Sequence, residues 1–92
     1  MYKTYTKDPG SQLDYVFEWK DWLVEGDQIL KSSFTIQEGL DWVAESTDGT
    51  KARVWVTGGT SGQSYLVTNR VETKSNPPRI AEISIEIKCQ EL

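Results

Sequence analysis

Histidine is missing from the 92 residues, and with it go the commonest general base and the commonest metal ligand. Cysteine occurs once, at Cys89, so no disulfide can close within the chain. Small secreted domains are often stapled by disulfides. An unstapled chain of this size is expected in a reducing compartment, or among neighbours that stabilise it. No apolar run approaches the roughly 20 residues that a membrane-crossing helix needs, so no membrane partner is expected. The start, Met1 to Asp8, is polar and lacks the apolar stretch of a secretory signal, so synthesis in a cytosol is expected. Positive charge is also scarce: 10 Lys and Arg stand against 14 Asp and Glu, a net charge of −4. A nucleic-acid backbone needs a clustered cationic surface, so no nucleic-acid partner is expected.

What remains is a globular composition, 37% hydrophobic and 11% aromatic, in a length that makes one domain. Such a chain buries roughly 60–65% of its unfolded surface. Period-two alternation dominates, the signature of half-buried strands. Leu13, Tyr15, Phe17 and Trp19 share one parity, against Asp14, Glu18 and Lys20 on the other. Further strands are read at 29–37, 40–45, 52–57, 64–73 and 79–91, with Ile83, Ile85, Ile87 and Cys89 on the inner parity of the last. Cys89 therefore reads as a small core hydrophobe. Asp48-Gly49 signals a hairpin turn, and Ser75-Asn76-Pro77-Pro78 a rigid turn. No sustained helical periodicity occurs; one turn around Lys20 to Leu23 is the sole helical candidate.

About seven short strands with regular turn signals predict an all-β fold, an antiparallel β-sandwich of immunoglobulin or fibronectin-III type. Residues 1–10 are expected as a polar N-terminal arm, and 11–92 as a single Ig-like domain. Two stacked sheets leave a gap that large rings fill well, so Trp19, Trp42, Phe17 and Phe34 are the expected core plugs. Tyr65, at the start of a strand, reads either as a corner tyrosine that bonds the backbone or as an ordinary core tyrosine.

No motif carries catalytic chemistry. Gly58-Gly59-Thr60-Ser61-Gly62 is glycine-rich, but no Lys-Ser/Thr pair or helix follows it, so a turn with positive φ is the reading. There is no Ser-x-x-Lys, no GxSxG elbow and no histidine to activate a serine. Asp14 and Glu18 alternate along a strand as a solvated face, and Asp21, Glu25 and Asp27 flank a turn without the pattern of a calcium loop. No catalytic residue, cofactor or metal is expected. Trp22 and Trp55 fall off the core parity. Trp22 reads as a lid on one end of the sandwich. Trp55 reads as an outer-face contact for a partner. Within the arm, Tyr2 and Tyr5 alternate with threonines, a pattern suited to an edge strand added on assembly.

Certain segments resemble a known family: Lys7-Asp8-Pro9, Leu13-Asp14-Tyr15, Trp19, Trp22-Leu23, Gly26-Asp27-Gln28-Ile29, then Val54 to Tyr65 and Val67 to Thr73. They are similar to small structural proteins of tailed bacteriophages and prophages, of the fiber–tail adaptor or head–tail accessory type. That resemblance implies an Ig-like fold, a non-enzymatic role and a place in the virion. The implied partners are other virion proteins, including ring-forming copies of the chain itself. The alternative is a carbohydrate-binding or adhesion module of a phage fiber, with Trp22 or Trp55 stacked on sugar rings.

Overall fold

A computed structural model describes residues 3–91. Seven strands form: β1 Lys3–Lys7, β2 Gln12–Glu18, β3 Ile29–Ile36, β4 Leu40–Thr47, β5 Lys51–Gly58, β6 Ser64–Thr73 and β7 Ile80–Cys89. They make a four-stranded sheet, β1-β7-β6-β3, and a three-stranded sheet, β2-β5-β4. The described residues contain no helix. Where the sequence marks one helical turn, the Trp22 and Leu23 N–H groups both donate to the Trp19 carbonyl, and the turn goes no further.

The two sheets stack as a sandwich. In the lettering of immunoglobulin domains, β2, β5 and β4 correspond to B, E and D, and β3, β6 and β7 to C, F and G. The inner faces carry the period-two residues: Tyr15 and Phe17 from β2, Val54 and Val56 from β5, Val67 and Val71 from β6, Ile85, Ile87 and Cys89 from β7. Trp19 is 1% exposed and sits at the centre of a polar lock. Its Nε1–H donates to Asn69 Oδ1 at 2.8 Å, and Asn69 Nδ2 donates to Ser32 Oγ and the Ser33 carbonyl. One amide thus ties β6 to β3 and to the Trp19 ring, satisfying groups that would be costly to bury unpaired. Phe34 is partly buried and meets Phe17 edge-on, ring centroids 5.5 Å apart.

Tyr65 is a corner tyrosine. Its hydroxyl accepts the Thr60 N–H at 2.9 Å, bracing the connection that precedes its own strand. The glycines around it are required by space as well as by φ. Gly39 has φ +108°, and a Cβ there would lie 2.7 Å from the Tyr65 ring. Gly59 has φ +98°, and its Cβ would collide with Cys89 Sγ.

Three expectations are corrected. The first concerns the arm: Lys3–Lys7 is strand β1, paired in parallel with Ile85–Cys89 of β7. The sandwich is therefore antiparallel except for this pair. Lys7 is fully buried, its ammonium donating to the carbonyls of Gly58 at 2.7 Å and Asp8 at 2.9 Å. A terminal strand that looks solvated in sequence is recruited because Lys7 finds two carbonyls at its buried tip and Tyr5 finds the Tyr15 ring.

Trp42, expected as a core plug, is 53% exposed. It lies opposite Val56 and keeps the inner parity. Yet β4 is an edge strand, and Leu40 is its one buried residue. Parity assigns a face; it does not say that another sheet covers that face. Ile83, expected inside, is exposed at the flank of the sandwich, where among the described residues β1 pairs with β7 only from Ile85 onward.

Candidate interaction surface

The outer faces of the two sheets differ in kind. That of β1-β7-β6-β3 is polar over its centre, with Leu66 and Ile80 toward its ends. Thr35, Thr68 and Ser84 lie side by side across three strands, with Thr68 and Ser84 sharing a hydrogen bond of 2.8 Å. Arg70 and Glu82 pair on the next rung. Residues of this kind are satisfied by each other and by water, and they carry little binding energy.

The outer face of β2-β5-β4 is different. Lys51, Arg53, Trp55 and Thr57 point outward from β5, because Ala52, Val54 and Val56 fill the core. The register sets Asp14, Trp55 and Ala44 on one rung, and Val16, Arg53 and Ser46 on the next. Arg53 pairs with Asp14 across the strands, beside the Trp55 ring position. A β-bulge between Trp42 and Ala44 inserts Val43 next to this rung. Trp55 and, on the far strand, Val16 are exposed on this outer face, while Trp42 is exposed on the inner-parity side of the overhanging β4 edge, one register position before the bulge. Trp55, at 36% exposed, lies where the sequence places it, on the outer face.

Among the described residues β4 has no strand on its outer side, so its outward N–H and C=O groups are open to a partner strand. From Glu38 to Thr50 the chain carries four acids, Glu38, Asp41, Glu45 and Asp48, and no Lys or Arg. Asp48 is engaged in its own turn. Its Oδ1 accepts from the Thr50 N–H and Lys51 N–H, both at 3.1 Å, and from the Thr50 hydroxyl. The Thr50 N–H bond chiefly, against a smaller opposing effect of burial, holds this carboxyl below its ordinary pKa.

The other aromatic candidates fall elsewhere. Tyr5 is half-buried over Tyr15, centroids 5.1 Å apart, and lines a groove on the opposite flank. Tyr2 lies outside the described residues. Trp22 covers one end of the core: it meets Trp19 edge-on, and the Arg79 guanidinium sits 4.3 Å over its ring while bonding the Trp22 carbonyl. That is the lid the sequence suggests. Sequence reasoning missed Trp42 as a surface residue. Among the described residues no three His, Cys, Asp or Glu side chains converge as a metal set.

No curated protein matches the chain. A known family does match it, over residues 7–88, from the end of β1 almost to the end of β7. The match covers β2 to β6 whole, nearly all of β7 and the Trp55 face, and by it the chain belongs to the family described as Podophage GP4 fiber-tail adaptor protein gp77.

Proposed function

We propose that this phage adaptor protein holds another virion protein along the β4 side of the β2-β5-β4 sheet, with Trp55 as anchor on the outer face and the open β4 edge, where Trp42 is exposed, as guide. Membership of the fiber–tail adaptor family makes it a structural component of the virion, and that role calls for binding surfaces, not catalysis. The observation that carries the reading is an edge strand open on one side with an exposed tryptophan of its own, Trp42, and a second exposed tryptophan, Trp55, on the outer face of the neighbouring strand. Exposed aromatics are the usual anchors of protein interfaces, and a free edge accepts an extended segment through main-chain hydrogen bonds. The acids along β4 favour a partner segment that carries Lys or Arg.

The test is incorporation. Trp55→Ala and Trp42→Ala remove exposed side chains and should leave the melting temperature within a few degrees of wild type, as surface substitutions usually do. Both should reduce recovery of the protein in purified tails. Normal incorporation of the double variant would reject this face. A specific hit on a glycan array that is lost in Trp55→Ala would instead support the carbohydrate-binding alternative.

A further inference from the structure

We infer that the occupant of the β4 edge is an extended segment of another protein in which two basic residues flank a pair of apolar ones. This rests on the docking proposed above and adds the chemistry of the partner.

β4 is open on both faces as well as along its edge. From Asp41 to Thr47 every residue is exposed, on the inner parity as on the outer. Asp41, opposite Thr57, and Ala44, opposite Trp55, have the outer parity. Trp42, opposite Val56, and Glu45, opposite Val54, have the inner. In an unbroken strand Trp42 and Glu45 would fall on opposite faces. The bulge at Val43 sets them on the same one, and does the same for Asp41 and Ala44. Each face of the overhanging strand therefore presents one acid and one apolar residue. Among the described residues neither Asp41 nor Glu45 enters a salt bridge.

An added strand sets its side chains beside those of β4, on the same faces. Beside Asp41 and Glu45 it is stabilised by Lys or Arg; beside Trp42 and Ala44 it is stabilised by apolar side chains. A regular strand that keeps to these faces has no counterpart for the bulged Val43. Its order is then basic, apolar, apolar, basic, with one cation on each face. That order is the same in both directions, so it suits an antiparallel or a parallel strand. Ala44 carries only a methyl group, which leaves room for the apolar residue beside it to reach toward the exposed Trp55. A second copy is the wrong occupant for two reasons. β4 against β4 would set the same acids along both strands, the like-charge arrangement by which edge strands avoid pairing with themselves. And no two Lys or Arg residues of this chain stand three apart, so no segment of it has the required order.

The test is an NMR titration of the isotope-labelled full chain with the capped peptide Thr-Ser-Lys-Val-Val-Lys-Ser-Thr, up to about 5 mM at low salt, where exposed charges are least screened. The amides of β4 and the Trp42 indole should shift, with Kd about 1 mM. The peptide Thr-Ser-Val-Lys-Lys-Val-Ser-Thr, of the same composition, should bind about tenfold more weakly, since its cations no longer lie beside the acids. The variant Asp41→Lys/Glu45→Lys changes exposed side chains only. It should lose the lysine peptide and take Thr-Ser-Glu-Val-Val-Glu-Ser-Thr instead. Silent β4 amides at about 5 mM overturn the inference. So do equal binding of the two lysine peptides, a double variant that still prefers lysine, and a wild-type chain that associates with itself through β4. The docking reading fails separately. Loss of incorporation in Trp55→Ala beside a silent titration would keep that reading and reject the strand chemistry. Normal incorporation of the Trp55/Trp42 double variant beside selective peptide binding would reject that reading and support the strand chemistry.

Discussion

At the scale of single residues, the buried polar groups divide into satisfied and unsatisfied, and the two kinds predict opposite mutational effects. Asn69 satisfies Trp19 Nε1 and two acceptors on β3. Asn69→Ala should strand the indole N–H in the core and cost about 3 kcal/mol in urea denaturation, the penalty of an unmade buried bond plus the lost contacts. Tyr15 is the reverse case. Its hydroxyl is buried with no partner, and burial first, then Cys89, Tyr5 and Asp14, push its pKa up. Tyr15→Phe removes an unpaired group and keeps the ring against Tyr5, so it should be neutral or stabilise by up to about 1 kcal/mol. A clear loss of stability would mean that the hydroxyl has a partner after all. Asp48 supplies a pH dependence. Its folded pKa lies below its unfolded one, so its contribution is full above about pH 4 and fades as pH falls through the folded value. Asp48→Asn keeps an acceptor in the turn but cannot titrate, so thermal melts should show a shallower loss of stability below pH 4 than in the wild type. An unchanged slope would assign acid sensitivity to other carboxylates.

At the scale of elements, β1 shows where alternation informs and where it fails. The strands with a covered inner face were legible from side-chain period alone: β6 at Ser64–Thr73 and the inward trio of β5 stand where the pattern puts them. So was the outward placement of Trp55, because its neighbours Val54 and Val56 claim the core. Illegible were the elements whose fate depends on neighbours distant in sequence. Lys3–Lys7 reads as a solvated arm, since nothing local says that a lysine will be buried on two carbonyls. Trp42 reads as core, since nothing local says that β4 overhangs. The Trp42–Ala44 bulge, which shifts the register of β4 against β5, leaves no local mark at all. The structure also changes what truncation should do. Removing the segment through Lys7 uncovers the β7 edge, exposes Tyr15 and discards the tie from Lys7 to Gly58. The melting temperature should fall by more than about 10 °C, the shift expected for a loss of a few kcal/mol in a domain of this size. A melting temperature that does not move would show that β1 contributes little in solution.

At the scale of the whole molecule, the sandwich is elongated, 44 × 25 × 19 Å, with a radius of gyration of 14.0 Å. A compact chain of this length would have about 12 Å. The extra length leaves surface at flanks and edges, the open β4 edge among them, and it leaves a thin core held by non-local pairs. Lys3 pairs with Ile85 across nearly the whole sequence, while β4 and β5 are joined by a tight hairpin at Asp48-Gly49. Loop closure must precede the reward of distant pairing, so a topology of this kind folds in milliseconds to seconds. Within it, β1 has the least reason to form early: it touches one strand of its own sheet, at the edge, and its pairing needs β7 already in place. Tyr5 is then a residue whose contacts form after the transition state. Tyr5→Ala should lower stability by speeding unfolding, with the refolding limb of the chevron nearly unmoved, a φ-value near 0. Val67→Ala, in a central strand between β3 and β7, is the comparison and should slow refolding as well. If Tyr5→Ala slows refolding as much as Val67→Ala does, the terminal strand is part of the nucleus and the order of assembly argued from the topology is wrong.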